Sequence, residues 1–212
     1  ALYCMFTAGY SPLVRPPMPE QLIIGVDLGT SSAKVAAYDL TGGKVASAEV
    51  SYPTYSSANG LVEQRPDDWL AAVGDALRSL AVALGDRIRA VAAIGLSAHA
   101  PAIVPVRADG TPLLHQVPIW GDTRCIDVGQ ILLDTIGIDR AWNGPGMVLT
   151  AHYPRLAWLI DHAPQAIEQA RWLLAPKDLL GLWLTGVARS DPSSGSGAAA
   201  WRSTESLRSG RG

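Results

Sequence analysis

The chain has 212 residues, of which 48% are hydrophobic, and a net charge of −2 from 17 Lys and Arg against 19 Asp and Glu. This apolar content suffices for a packed core, in one large or two small domains. The lysines and arginines are scattered along the chain, which excludes a basic stripe that would bind nucleic acid or a membrane surface. The two cysteines, Cys4 and Cys125, lack zinc-site spacing and predict no disulfide framework, which favours a reducing cytoplasm.

The first residues differ in character from the rest of the chain. Residues 1–21 are mildly apolar, lack a basic region and contain several prolines. Such a segment makes a poor signal peptide and is too short to span a bilayer. We therefore expect residues 1–21 to be a leader without ordered structure.

The strongest local pattern runs from Leu22 to Asp39 and has the sequence LIIGVDLGTSSAKVAAYD. A continuous apolar run ends on Asp27, and a Gly-Thr-Ser-Ser turn then leads into a second β-prone run at residues 34–38. This pattern predicts a hairpin whose first strand is buried on both faces. Asp27 would then lie at the rim of a central sheet rather than in solvent.

The tip of this hairpin carries groups suited to a phosphate and a metal. The Asp27 carboxylate can hold a metal or its waters, and Gly29 lets the backbone come close to a ligand. Thr30, Ser31 and Ser32 offer hydroxyl and amide groups to phosphate oxygens. The alternative is an ordinary hairpin with a small polar turn, because short Gly-rich matches are often fortuitous.

Two more strands and a helix are predicted to complete a sheet layer. Residues 44–51 alternate as a third strand, residues 52–66 form a loop, and Asp67 caps a helix that continues to Leu84. The apolar residues of this helix recur at helical spacing and form one core-facing stripe. Residues 90–96 predict a buried strand parallel to the first. Three strands before the first helix differ from a Rossmann unit, in which a helix follows the first strand directly.

The second half of the chain is mainly helical. The predicted elements are a strand at 102–106, helices at 124–136, 154–162 and 164–170, a strand at 172–175, and a helix from Pro176 to Gly186, with a Gly-Pro loop at 143–146. Residues 193–212 are rich in Ser, Gly and Ala and end in aperiodic charged sequence, so we expect a flexible tail.

Several segments in this order resemble the amino-terminal half of the FGGY carbohydrate kinases, the family of xylulokinases, gluconate kinases and glycerol kinases. These segments are DLGTSSAK at the hairpin, GLVEQRPDDW at 60–69, IWGDTR at 119–124 and APKDLLGLWLTG at 175–186, followed by Ser190-Asp191. The resemblance implies an α/β domain of the ribonuclease-H-like (actin-like ATPase) class over residues 22–192. Its sheet would be mixed and five-stranded, with helices on both faces. The resemblance also implies ATP, magnesium, and a sugar or polyol acceptor.

On the phosphate side, the resemblance carries over to the hairpin tip. Asp27 resembles the acidic residue that organises magnesium and its waters. Gly29, Thr30 and Ser31 resemble the loop that faces the transferred phosphoryl group, a reaction that depends on positioning and charge neutralisation. Lys34 occupies a place where a solvated strand lysine would serve equally well, so its role stays open.

On the substrate side, the resemblance implies five contacts. His99 stands where the family has glutamine, and Pro101 stands where xylulokinases have histidine, which leaves the particular sugar open. Trp120 resembles an apolar wall for the sugar, with Asp122 and Arg124 as polar residues beside it. The alternatives are a structural His99 bonded to backbone, a Trp120 packed in the core, and an exposed Asp122–Arg124 ion pair worth little.

The family's catalytic aspartate and most of its adenosine contacts belong to a second domain, which we expect to be absent here. No residue of this chain is therefore assigned as the catalytic base, and we expect a sugar-kinase fragment that is inactive alone. A stand-alone actin-like module that binds nucleotide or a partner is the alternative. A ROK-type or acetate-kinase-type enzyme would share the hairpin but not the Trp120 cluster. We expect ATP and a sugar as partners, without nucleic acid or membrane, and a homodimer is left open for the full-length protein.

Overall fold

A computed structural model describes residues 21–57, 60–136 and 152–191. The predictions for the leader before residue 21, the loop at 143–146 and the tail at 193–212 lie outside these residues, as does Cys4. Cys125 is a buried free thiol, and burial raises its pKa to about 11. Among the described helices, none combines the length and the apolar character needed to cross a membrane.

The described elements begin with strands and continue with alternating helices and short strands. The strands are β1 (Leu22–Leu28), β2 (Ser32–Asp39), β3 (Lys44–Ser51), β4 (Tyr55–Ser56), β5 (Val62–Gln64), β6 (Val91–Ala98), β7 (Val104–Val106), β8 (Val117–Pro118) and β9 (Trp172–Leu174). The helices are α1 (Pro66–Leu84), α2 (Ile126–Ile136), α3 (His152–His162), α4 (Pro164–Gln169) and α5 (Pro176–Thr185), and a 3₁₀ helix (Gly85–Ala90) follows α1.

The central sheet has the strand order β3-β2-β1-β6. The first three strands form the predicted antiparallel meander, and β6 pairs parallel with β1 as predicted. The turn between β2 and β3 closes because the Asp39 carboxylate accepts hydrogen bonds from the N–H groups of Thr41 and Gly43. Gly42 between them has a φ of +87°, which favours glycine.

The core lies on one face of this sheet. Leu22, Ile24, Val26 and Leu28 of β1 are buried, whereas Ile23 and Asp27 between them are exposed. Side chains of a strand alternate between the two faces, so this pattern means that one face is covered. Helix α1 contacts β2 and β3, and α5 contacts both β6 and α1, so the two helices share the covered face. The prediction that β1 is buried on both faces is wrong.

The mixed α/β class is confirmed, but two details of the predicted sheet differ among the described residues. The sheet has four strands rather than five, because β7 pairs antiparallel with β9 in a separate two-stranded sheet. Its second face is open rather than helix-covered, and most of β6, predicted to be buried, is exposed. The groove along this open face has a volume of about 880 Å³.

The segment predicted as a loop at 52–66 contains strands β4 and β5. They form a three-stranded sheet with β8, a partner more than fifty residues further along the chain. Strands of two or three residues show no periodicity, and long-range pairing decides whether they form. Helix α1 begins at Pro66, one residue before the predicted cap, and the remaining helices begin and end within two residues of their predicted positions.

Candidate functional site

The turn between β1 and β2 is tight and is held by hydrogen bonds from outside the hairpin. The Gly29 N–H donates to the Ser32 carbonyl at 2.9 Å. A Cβ at Gly29 would lie 3.2 Å from that same oxygen, so a side chain there would crowd the turn. The hydroxyl of Tyr52 donates to the Gly29 carbonyl, and the Gln64 side-chain amide donates to the Thr30 carbonyl at 2.6 Å.

Asp27 lies at the open face of the sheet. It is exposed, and it sits in register opposite Lys34 of β2 and Ser97 of β6. The prediction that Asp27 is shielded from solvent is wrong, because the alternation of β1 directs residue 27 away from the covered face. The Lys34 side chain is 58% exposed and lies 3.9 Å from Glu49, as expected for a solvated strand lysine.

His99 directly follows β6 and lies close to Asp27. Its N–H donates to the Leu28 carbonyl at 2.8 Å, and its ring packs edge-on against Trp69 with centroids 5.0 Å apart. Both ring nitrogens are buried and have no hydrogen-bond partner among the described residues. Burial lowers the pKa of His99 to about 4 against the opposing charge of Asp27. A neutral imidazole offers one donor and one acceptor, so the ring can bond a hydroxyl both ways.

This pKa predicts a dependence of stability on pH. The unfolded His99 takes up a proton near its ordinary value of 6.5, whereas the folded ring does so only near 4. The unfolded state therefore binds more protons in that window, and the free energy of unfolding falls as the pH drops through it. Above this window, the contribution of His99 to the free energy of unfolding is about 3 kcal/mol.

Denaturant unfolding of His99→Gln from pH 7 to pH 4 checks this prediction. The variant should lose less stability than the parent chain over this range, whereas His115→Gln, at an exposed histidine, should follow the parent. Equal pH slopes for the parent and for His99→Gln would contradict the assigned burial of the ring.

Trp120, Asp122 and Arg124 lie in the segment between β8 and α2. Trp120 is 53% exposed, so the core-packing alternative for it is wrong. Asp122 is buried and accepts hydrogen bonds from the Val62 N–H at 2.7 Å and from Arg124 Nε and Nη2 at 2.8 Å each. The Arg124 guanidinium also pairs with Glu63 at 2.9 Å. The alternative of an exposed ion pair is therefore wrong as well.

The contacts of Arg124 extend to a neighbouring helix. Its guanidinium lies over the Trp158 ring of α3 at 4.7 Å from the centroid. Burial acts to lower the pKa of Arg124, but the contacts with Asp122 and Glu63 outweigh burial and raise this pKa above its ordinary value. The charged cluster therefore locks the segment that carries Trp120 onto β5 and α3.

A second ion-pair cluster lies at the start of α5. Lys177 Nζ is 2.7 Å from the Asp178 carboxylate and 2.6 Å from that of Asp191. Burial opposes the charged form of Lys177, yet its bonds to the two carboxylates raise the pKa of the amine. Asp191, which follows the matched Ser190, is therefore fixed to the helix that begins at Pro176.

Strand β5 connects the two predicted halves of the site. Gln64 of β5 contacts the Thr30 carbonyl, and the N–H of Val62 contacts Asp122. The hairpin tip and His99 also lie together, because the backbone N–H of His99 donates to the carbonyl of Leu28, the last residue of β1. The contacts of Tyr52 and Gln64 were missed from the sequence. Gln64 lies in the GLVEQRPDDW segment that carries the resemblance, but its contact with Thr30 was not predicted, and nothing local indicated Tyr52.

The donor set fits magnesium bound together with phosphates. Within the described residues, no group of three or more His, Cys, Asp and Glu side chains converges on one point. Asp27 is a single exposed carboxylate beside a turn of amide and hydroxyl groups. Mg²⁺ keeps several waters and is commonly bound by one or two carboxylates plus substrate phosphates rather than by a protein cage.

Comparison with known proteins identifies the class from the fold. A xylulose kinase from Rhodospirillum rubrum has the same fold with a TM-score of 0.77, at 22% identity over 88% of this chain and 39% of its own. The fold is therefore the actin-like, ribonuclease-H-like α/β fold. The family model described as "FGGY family of carbohydrate kinases, N-terminal domain" matches residues 22–201 of this chain. The chain therefore belongs to this family.

The curated relatives agree with this assignment. The xylulose kinase of Streptomyces coelicolor is 31% identical over 185 residues, which cover 86% of this chain and 37% of the relative. The xylulose kinase of Lactococcus lactis is 28% identical over 165 residues, which cover 77% and 33%. The chain thus spans about a third of the length of these relatives.

Proposed function

We propose that the chain is the amino-terminal part of a kinase that transfers the terminal phosphoryl group of ATP to a hydroxyl of a sugar or polyol. The observation that carries the proposal is the turn at residues 29–31. The Gly29 and Thr30 carbonyls of this turn accept hydrogen bonds from Tyr52 and Gln64. The turn lies beside the exposed carboxylate of Asp27 and the neutral ring of His99, whose nitrogens have no partner among the described residues. Phosphoryl transfer depends mainly on such positioning and on charge neutralisation.

On the donor side, Asp27 would hold magnesium through its carboxylate or through waters of the ion. Bound magnesium supplies positive charge against the phosphoryl oxygens. The backbone N–H and hydroxyl groups of Thr30 and Ser31 bind those oxygens, and Gly29 leaves room for their close approach. The exposure of Asp27 supports this role, because the carboxylate needs no movement to reach a ligand in solvent.

On the acceptor side, the two ring nitrogens of His99 are buried and unpartnered among the described residues, and they would bond hydroxyls of a sugar that enters beside the ring. Trp120 provides an exposed apolar surface for the carbon chain. Pro101 borders the same strand end. Arg124 and Asp122 fix the segment that carries Trp120, and Arg124 Nη1, which is not used in the pairs with Asp122 and Glu63, would donate to the substrate. The relatives act on xylulose by name, and a ketopentose is the first substrate to test.

No side chain of this chain is assigned as the general base. In this proposal Asp27 is committed to magnesium, and Asp122 is saturated with hydrogen bonds. We propose that the base and the adenosine contacts come from a second domain. The chain alone is then a binding unit for phosphate and sugar without turnover, and a reducing cytoplasm is its proposed compartment.

Sugar binding to the purified chain tests this function directly. D-xylulose should change the tryptophan fluorescence of the chain and shift the His99 ring signals in NMR spectra, and Trp120→Ala should weaken the binding about tenfold through loss of its apolar contact. Trp183→Ala, at another exposed tryptophan on α5, should bind as the parent does.

Two results would contradict the proposal. Equal affinity of the parent and Trp120→Ala would remove Trp120 from the site. ATP-dependent phosphorylation of the sugar by the chain alone would show that the catalytic base lies within it. Binding of magnesium and polyphosphate without any sugar, including gluconate and glycerol, would favour the stand-alone actin-like module instead.

A further inference from the structure

The three carbonyl groups of the turn at residues 29–31 are all bonded to donors outside the hairpin. Tyr52 supplies two of these donors, its hydroxyl to the Gly29 carbonyl and its backbone N–H to the Ser31 carbonyl at 3.1 Å. Gln64 supplies the third, from its side-chain nitrogen to the Thr30 carbonyl at 2.6 Å. Such complete bonding of a short exposed turn restrains every peptide plane within it.

The orientation of these carbonyls fixes the orientation of the neighbouring amides. In a planar trans peptide the C=O and the N–H of the next residue point in opposite directions. The bond to the Gly29 carbonyl therefore aims the Thr30 N–H away from Tyr52, and the bond to the Thr30 carbonyl aims the Ser31 N–H away from Gln64. Neither of these N–H groups has a partner among the described residues.

We propose that Tyr52 and Gln64 are positioning residues that hold the N–H groups of Thr30 and Ser31 toward the phosphate oxygens of the donor. This inference rests on the proposed function, in which the turn binds phosphate. These positioned N–H groups stabilise the phosphate oxygens more strongly than mobile ones would, because donors that are already oriented need no reorientation when charge develops on the phosphoryl group.

Both positioning side chains are themselves held rigidly. Tyr52 is 8% exposed and Gln64 is fully buried. The Oε1 of Gln64 accepts a hydrogen bond from Trp69 Nε1 at 2.9 Å, and its Nε2 also donates to Thr54 Oγ1 at 2.6 Å. The bond from Trp69 requires an acceptor, so it decides which end of the Gln64 amide faces Thr30. The donor to the turn is therefore fixed by the core of the domain.

Tyr52→Phe tests the proposal with the smallest change, because it removes only the hydroxyl donor to Gly29. The probe is magnesium tripolyphosphate, and the readouts on the full chain are its Kd and the backbone amide shifts of Thr30 and Ser31. We expect the Thr30 amide to shift in the free variant and the affinity to fall about fivefold, as for the loss of one neutral hydrogen bond. Tyr55→Phe is the matched control, because the Tyr55 hydroxyl lies 3.5 Å from Asp68 and not at the turn.

Gln64→Glu provides a second, nearly isosteric variant. Burial raises the pKa of a carboxyl at this position, so the comparison is made at a pH at which the carboxyl is ionised. It then accepts from Trp69 and Thr54 but cannot donate to the Thr30 carbonyl, so we expect about a tenfold loss of affinity and a shift of the Ser31 amide. Unchanged Kd and unmoved amides in both variants would overturn the positioning role and leave phosphate binding intact.

Two further outcomes separate this role from the proposed function and from general destabilisation. Failure of the parent chain to bind tripolyphosphate would overturn the positioning role and the proposed function together. A loss of affinity that vanishes when all variants are compared well below their unfolding temperatures would identify a purely structural role and overturn the proposal. A loss that persists there, with shifted Thr30 and Ser31 amides, supports it.

Discussion

Asp27→Asn is expected to lower kcat about a hundredfold or more in a two-domain kinase that contains this chain, with a smaller effect on the KM for the sugar. The substitution keeps the shape of the side chain and removes its charge. An interaction made chiefly in the transition state affects kcat more than ground-state binding, and preorganised electrostatic groups commonly contribute on this scale. Steady-state kinetics at saturating magnesium measures the effect.

The surroundings of Asp27 allow the effect on kcat to be measured without a change in stability. Its side chain is exposed at the open face of the sheet, so loss of the charge should leave the thermal unfolding midpoint of the chain nearly unchanged. Asp86→Asn, the same change at an exposed residue in the 3₁₀ helix after α1, should alter neither kcat nor stability. Normal kcat in Asp27→Asn would refute the magnesium role, and parallel losses of stability and activity would favour an ordinary hairpin.

The elements that sequence alone predicted are those with strong local patterns. The meander of β1, β2 and β3 and the helix α1 follow from apolar runs, a Gly-Gly turn and a helical stripe that includes Trp69, Val73 and Leu80. The short strands β4, β5 and β8 carry no such pattern. Their formation depends on pairing between distant segments, which a local window does not contain.

The open face of the sheet explains the error about Asp27. Ile23 is apolar yet 42% exposed, and Gly25 and Ala36 also lie along the open groove. A continuous apolar run therefore does not distinguish a strand covered on both faces from one covered on a single face. The turn at Gly29 and Thr30 could be predicted because strand, acid and turn are adjacent in sequence. The bonds from Tyr52 and Gln64 could not, because they cross 23 and 34 residues.

Trp69→Ala is expected to lower the free energy of unfolding by about 4 kcal/mol, the range found when a buried aromatic side chain is truncated in a core. The indole is fully buried in the layer between α1 and the sheet. Its removal leaves a cavity and also leaves the buried Oε1 of Gln64 without its donor. Denaturant unfolding followed by circular dichroism measures this loss.

Trp69→Phe separates packing from hydrogen bonding. Phenylalanine keeps most of the apolar volume but lacks the N–H, so we expect a loss of about 1–2 kcal/mol from the unpaired Gln64 oxygen and the smaller ring. Trp183→Ala, at a 44% exposed tryptophan, should cost less than Trp69→Ala. Because Trp69 donates to Gln64, which holds the Thr30 carbonyl, Trp69→Phe should also move the Ser31 amide in NMR spectra. A loss below about 1 kcal/mol in Trp69→Ala would contradict its place in the core, since core truncations of this size cost several times more.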